Sequence, residues 1–435
     1  MAREFNFSAN REQSKTSLDS AEVQPKIEGR AFKDSGIEWI GQIPKEWEVI
    51  RLKFLCTIQT GNKDTQDATP DGVYPFYVRS PKVEKSETYS FDGEGILMAG
   101  DGVGAGRVFH HVFGKYAVHQ RVYRLANITG INSSFLFYYI SNLFGKEMDR
   151  GSAQSTVPSV RLPMLQNFII STPLLSEQQK IACYLDKVCG EVDEMVTLQE
   201  TMIEELKAYK QSIITEAVTK GLNPNAPMRN SGIDWIGEIP EHWEQHQFRR
   251  IFEIKKIIAG TLGYDVLSVT QNGIKVKDLT KNEGQIAQDY SKYQLVDVDD
   301  YVMNHMDLLT GYVDCSKQNG VTSPDYRVFR AIDKSEISLA YYLKIFQTCY
   351  KEKIFYHLGQ GVSGMGRWRL PAEQLKLFVL PMPPLSEQLQ IASYLDAKCS
   401  EIDALITLKQ AKIEELKEYK KSVIFEYVTG KKEVM

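Results

Sequence analysis

The sequence predicts an α+β chain of two mixed α/β domains and a long helical coiled coil, arranged as a pseudo-two-fold internal repeat. Three observations predict it. Residues 33–49 (KDSGIEWIGQIPKEWEV) return 196 residues later as 229–245 (RNSGIDWIGEIPEHWEQ). Residues 173–221 return at 383–431 with 27 of 49 positions identical, now offset by 210. The inserts between them, 50–172 and 246–382, share almost no register and differ in length by 14 residues. A frame that repeats while its inserts diverge pairs with itself or with identical partners, and leaves each insert free to meet something different.

Residues 1–32 are polar, lack periodicity and carry Ile27-Glu28-Gly29-Arg30, a protease recognition string of engineered fusions. They read as a disordered arm, in part a cloning remnant. The short repeat places two tryptophans eight apart around a proline turn. Trp39, Trp47, Trp235 and Trp243 are expected to pack each insert onto the frame; base stacking is the weaker alternative. The inserts read as short strands (GEGILMAG, GRVFHHVF, YAVHQRVYRL, YQLVDVDDYVMNHM, YRVFRA) followed by helices at 133–148 and 338–355. Each then closes on a Gly-rich loop, at 151–156 and 359–367.

The long repeat is helical. Ser176 with Gln179 is expected to form a capping box, with Glu177 at the positive end of the dipole. An apolar seam then runs through Leu185, Val188, Val192, Met195, Met202, Leu206, Tyr209 and Ile213. The second copy offers Leu395, Ile402, Leu405, Leu416, Tyr419 and Val423. A rod of about 65 Å with one apolar seam must bury it, so the copies are expected to pack as a coiled coil. Gly221 ends the first copy before an Asn/Pro-rich linker.

Composition narrows the class. The formal net charge is −4, yet the first insert carries 13 Lys and Arg against 10 Asp and Glu, and the second 18 against 15. Both inserts are thus positive and the frame negative, which favours an anionic partner for the inserts. No apolar run approaches the roughly 20 residues that span a bilayer, and no signal peptide is expected. Six cysteines without a CxxC pair suit a reducing, cytoplasmic setting and argue against zinc; Cys189 and Cys399 are expected to be buried apolar groups.

No catalytic constellation emerges. Gly100-Asp-Gly102-Val-Gly104-Ala105 and Gly359-Gln-Gly361-Val-Ser-Gly364 match a dinucleotide fingerprint, but neither opens a helix, so the phosphate cradle fails. A P-loop and the Asn/Asp-Pro-Pro-Tyr/Phe signature of amino-methylating DNA methyltransferases are absent. His110, His111 and His119 lack ligand partners at sensible spacing, and Glu205-Leu-Lys207 sits on a solvated helix face.

What remains suits recognition. Arg and Lys fork onto guanine, Gln and Asn onto adenine, and Ser, Thr and Lys reach phosphates. The first insert offers Lys63, Arg79, Lys82, Arg107, His119, Gln120, Arg121, Ser152, Gln154 and Ser155 as candidate DNA contacts. The second offers Lys275, Lys277, Asn304, His305, Lys317, Asn319, Arg327, Gln360, Ser363, Arg367 and Arg369. For each of these a plain solvated loop is the competing reading.

The SGIxWIGxIPxxWE motif, the PPLSEQxxIAxYLD run opening the long helix, and KIEELKxYKxSxIxE resemble the specificity subunit of type I restriction–modification enzymes over about residues 33–431. In the second insert, MDLLTGYVDCSKQNGVTSPDYRVFR and GQGVSGMGRWRLP also resemble one target-recognition-domain subtype. The resemblance implies target-recognition domains at 33–172 and 229–382, separated by an antiparallel helix pair from 173–228 and 383–435. It implies a non-catalytic subunit that recognises a bipartite site on double-stranded DNA. Two methyltransferase subunits and restriction/translocase subunits would assemble on it, away from any membrane, and these partners would carry S-adenosylmethionine, ATP and magnesium. A coiled-coil scaffold without a DNA role, and a self-sufficient methyltransferase or nuclease, are the competing functions.

Overall fold

The chain's long apolar repeats fold into two continuous helices, Leu175–Lys220 of 46 residues and Leu385–Val428 of 44. The computed structural model describes residues 30–151, 158–277, 289–361 and 368–434. Two compact units emerge, one of Met1–Val196 with Glu414–Met435 and one of Thr197–Ile413. The division falls inside both helices, whereas the sequence reading set its boundaries at the helix starts. Each unit therefore holds one insert, the start of the helix that follows it, and the end of the other helix.

The pairing of the helices is antiparallel within each unit. In the first, Lys420 Nζ meets Asp193 at 2.6 Å and the Tyr184 and Tyr427 rings lie 4.5 Å apart. In the second, Lys210 Nζ meets Asp403 at 2.6 Å and Lys409 Nζ reaches Gln199 Oε1 at 3.3 Å. The two ion pairs are one pair written twice, since Asp193 and Lys210 recur 210 positions on as Asp403 and Lys420.

The seam differs from the expected one. Ile181, Val192, Ile203 and Ile214 are buried at steps of 11, and so are Ile391, Ile402, Ile413 and Ile424. Eleven residues over three turns is about 3.67 per turn, so the stripe runs nearly straight instead of drifting as a seven-residue repeat does. Leu185, Leu395 and Val423 are buried beside it, while Val188, Met202, Leu206, Ile213 and Leu416 are half-buried. Met195, Tyr209, Leu405 and Tyr419 leave it, at 51, 58, 41 and 52% exposure. A 3-4 count carried along the helix slips off the 11-residue stripe at those positions.

The helix starts also differ from the capping-box reading. Gln178 N donates to Leu174 O, so Ser176 lies inside the first turn. Upstream prolines hold the chain extended up to that point. Buried Gln178 ties it down, its amide donating to Thr172 Oγ1 (2.7 Å) and Pro173 O (2.8 Å) and accepting from Asn132 N (2.7 Å). Gln388 does the same with Pro383 O, Glu336 O and Ser338 N. At the other ends Gly221 and Gly430 adopt φ of +76° and +68°, the left-handed stop that glycine takes without strain.

The tryptophans pack as expected. Trp47 is fully buried among Phe135, Leu185, Val423, Ile424 and Val428, and Trp243 among Ile214, Val218, Ile391 and Leu395. Each therefore seals one insert to the end of one helix and the start of the other. Residues 1–29 lie outside the described residues, but the expected arm is structured from Arg30 onward. Arg30 donates to Glu177 at 2.8 Å, and Phe32–Asp34 pairs with Gln42–Pro44.

Both inserts build a four-stranded antiparallel sheet in the same order. In the first it is Thr57–Thr60, Val122–Ala126, Gly95–Ala99, Phe109–Val112. In the second it is Phe252–Lys255, Arg327–Ala331, Tyr301–Met303, Val313–Cys315. A long amphipathic helix packs on each core, Ser133–Gly151 and Leu339–Lys351. YAVHQRVYRL and YQLVDVDDYVMNHM each prove to be two strands in different sheets, Lys115–Val118 with Val122–Ala126 and Gln294–Val296 with Tyr301–Met303. Polar residues at 119–121, and three aspartates among 297–300, turn the chain between them.

Candidate nucleic-acid interface

Register decides which loops meet. In the first sheet Thr60 faces Tyr123, Val122 faces Ala99, and Met98 faces Phe109. The loops after Thr60, before Val122 and between Ala99 and Phe109 therefore share one end of the sheet. Tyr74–Tyr77 runs parallel to Lys115–Val118 with Tyr77 beside Val118, which brings 78–82 to that end as well. Gln120 N donates to Lys63 O at 2.7 Å, Gly102 N to Pro158 O at 3.0 Å, and Val160 N to Gly100 O at 2.8 Å, sewing the loops together. Glycine permits the close approaches: a Cβ on Gly61 would lie 2.1 Å from Val118 O, and one on Gly104 2.4 Å from Arg79 O. The Gly100–Gly104 run is thus a turn between strands.

This end carries Lys63, Arg79, Lys82, Arg107, His119, Gln120 and Arg121, and Arg79 and Arg107 line a cleft of about 470 Å³ whose apolar wall includes Val78, Pro81, Val103 and Val108. Carboxylates that the sequence reading missed pair with three of its arginines. Arg79 donates to Asp101 Oδ1 at 3.1 Å, Arg121 Nε lies 3.8 Å from Asp101 Oδ2, and Arg107 donates to Asp149 at 2.6 Å. Gln120 donates to Asp64 at 2.8 Å, Lys63 Nζ donates to Thr88, and Lys82 is exposed. His119 is buried, and its Nδ1 accepts from Arg121 N at 3.0 Å. Burial and the Arg79 charge hold its pKa below the ordinary value, so it serves as a neutral brace and not as a cationic contact. Ser152, Gln154 and Ser155 lie outside the described residues.

The second sheet repeats the arrangement, with Lys255 facing Val328, and Met303 facing both Arg327 and Val313. Asn304, His305, Arg327, Gln360 and Arg369 gather at this end, and Lys277 and Asn304 line a cleft of about 370 Å³ with Ser268, Tyr293, Asp307 and Tyr326. Gln360 and Arg369 exchange backbone hydrogen bonds of 2.8 and 3.0 Å, and Leu370 N donates to His305 O at 2.9 Å. Lys275 is exposed on the hairpin strand Gly273–Val276. Lys317 and Asn319 do not join the cluster. They follow Cys315, which pairs with Tyr301, at the opposite end of the sheet, and Asn319 Oδ1 accepts from Val298 N there. Antiparallel strands send successive loops to opposite ends, so closeness in sequence misled the reading. Ser363 and Arg367 lie outside the described residues.

Among the described residues no group of acidic, histidine or cysteine side chains could hold a metal ion. No helix there is long and apolar enough to cross a membrane. Cys189 and Cys399 are buried as expected.

Two inserts with the same sheet, each presenting a loop face at the same end of it, define a chain with two recognition modules on one helical frame. The type I restriction modification DNA specificity domain matches it twice, over residues 44–208 and 240–418, and the chain belongs to that family. Among its relatives, the MjaVIII specificity subunit of Methanocaldococcus jannaschii is 25% identical over 423 residues, 90% of this chain and 94% of that one. The EcoDI specificity subunit of Escherichia coli is 25% identical over 239 residues, and the match spans only about half of each protein, 52% of this chain and 53% of EcoDI. A solved chain from work on complex assembly and conformational transition of the type I R-M system shares the fold, with a TM-score of 0.63 at 15% identity over 90% of this chain and 99% of that one.

Proposed function

We propose that each unit of this specificity subunit reads one half of a bipartite site on double-stranded DNA through the loop end of its four-stranded sheet. The observation that carries this reading is the pairing of a repeated frame with divergent inserts, whose loops gather at the same sheet end in both units. Loop side chains there supply the donors and acceptors that base edges and phosphates require.

The chain scaffolds partner enzymes and is itself non-catalytic. Exposed apolar side chains recur at repeat-equivalent positions of the two helices: Met195 and Leu405, Leu198 and Leu408, Tyr209 and Tyr419. Two equivalent apolar strips suit two identical methyltransferase subunits, with restriction/translocase subunits joining for cleavage. S-adenosylmethionine, ATP and magnesium would be held by those partners, in the cytoplasm.

The test exchanges residues 246–382 for the corresponding insert of another specificity subunit and maps methylation in cells that also express the methyltransferase. One half of the recognised site should change and the other stay. A change in both halves, or methylation by the purified chain alone, would refute the reading.

A further inference from the structure

Two buried cations in the second unit are treated in opposite ways. Lys255 Nζ, at 3% exposure, is held by Asp297 at 2.7 Å and Asp300 at 2.6 Å. Arg327 is 7% exposed and pairs with no carboxylate among the described residues; its guanidinium donates to Leu370 O at 3.1 Å. A guanidinium taken out of water without a counter-charge is costly to keep. Next to it stands a second arginine, Arg369, exposed and pinned by its backbone bonds to Gln360. His305 lies beside both, with a buried Nδ1 that finds no partner. Burial and the two arginine charges drive its pKa down to about 3.

The same place in the first unit is filled from within. There Asp101 follows the sheet strand Gly95–Ala99 and takes both Arg79 and Arg121. In the second unit Asn304 and His305 follow the corresponding strand, Tyr301–Met303, and bring no carboxylate. We propose that Arg327, Arg369 and His305 form a seat for one phosphodiester of the DNA backbone, which supplies the negative charge that Asp101 supplies in the first unit. A phosphodiester offers two non-bridging oxygens to the fork of a guanidinium, and a buried arginine held by a backbone carbonyl is already oriented for it. Such a seat fixes register on the duplex and carries no base preference of its own. The proposal rests on the DNA-recognition reading above.

The test measures binding of the full chain to duplex DNA against salt concentration. Arg369 is exposed, so Arg369→Gln should fold with an unchanged Tm. It should lower the slope of log affinity against log salt by about one and weaken binding to all sequences alike, while Arg369→Lys keeps most of the slope. Asp101→Asn, which frees Arg79 and Arg121, should steepen it. An unchanged slope in Arg369→Gln, with wild-type binding intact, overturns the seat but leaves the DNA reading standing. An altered base preference at unchanged slope overturns it in favour of base readout. Inorganic phosphate that raises the wild-type Tm while Arg369→Gln leaves the DNA slope unchanged assigns the seat to a free anion and overturns it as well. No retention of the wild type on any duplex sinks the DNA reading and the seat together.

Discussion

The two units build the same sheet and bring their loops to the same end of it, yet they handle positive charge differently. In the first unit the loop arginines find carboxylates within the unit, Arg79 and Arg121 sharing Asp101 and Arg107 pairing with Asp149. Its buried cation, Arg124, needs no carboxylate: Nε donates to Tyr116 Oη at 2.7 Å, a second nitrogen donates to Glu94 O at 3.0 Å, and the group lies 4.6 Å over the Phe91 ring. In the second unit the pattern inverts. The interior cation Lys255 takes two carboxylates, while the loop-end arginines Arg327 and Arg369 take none among the described residues. The contrast separates charge that is answered inside the fold from charge that no carboxylate answers among the described residues. The same backbone supports both because the sheet determines where a side chain stands and not what stands beside it.

The interior contrast should give the largest effects on stability. Lys255→Met would strand the buried carboxylate of Asp300 and cost about 3–5 kcal/mol. Arg124→Met gives up two hydrogen bonds but leaves no buried charge behind, at about 1–3 kcal/mol. Thermal or urea unfolding compares the two, and equal losses would break the distinction. Next come the helix stops. Gly221→Ala and Gly430→Ala each impose a left-handed conformation worth about 1–2 kcal/mol. The second should cost more, because a Cβ on Gly430 meets Pro44 Cδ at 2.5 Å, against 3.1 Å to the Trp243 ring for Gly221.

A smaller difference separates the sealing tryptophans. Trp243 Nε1 donates to Glu387 at 2.9 Å, while Trp47 Nε1 finds no acceptor among the described residues. Trp243→Phe should therefore cost about 1 kcal/mol more than Trp47→Phe in the same unfolding assay. The smallest effect belongs to the repeated helix pair. Lys210→Ala and Lys420→Ala remove ion pairs with half-exposed aspartates and should each cost less than about 1 kcal/mol, by equal amounts. Unequal losses would show that the two copies of the frame are not energetically equivalent.

Much of this was legible in the chain. The duplicated segments marked both long helices, the Gly221 stop and the packing tryptophans, because helix periodicity and glycine conformation act locally. The candidate contacts Lys63, Arg79, Lys82, Arg107 and His119 to Arg121 were identified one by one, and the register of the strands brings them together. The phase of the seam was missed. Met195 and Leu405 look as apolar as Ile203 and Ile413, and only the 11-residue step between burials tells them apart. The partners of the loop cations were missed for a similar reason, since Asp101 and Asp149 carry no pattern that announces an ion pair.

The sequence by itself determined the repeat, the helices, the kinds of side chain each loop offers, and the absence of a recognisable catalytic signature. These are properties of neighbouring residues, or of copies that can be compared. Only the tertiary structure decided which charges cancel and which segment closes which unit. The end of the second long helix seals the first insert, where Lys431 Nζ donates to Ile40 O and Gln42 O at 2.7 Å across nearly the whole chain. Asp101 meets two arginines while Arg327 meets no carboxylate among the described residues, although both stand in positively charged inserts. Contacts of that range depend on how strands pair and helices return, and no local pattern in a sequence encodes them.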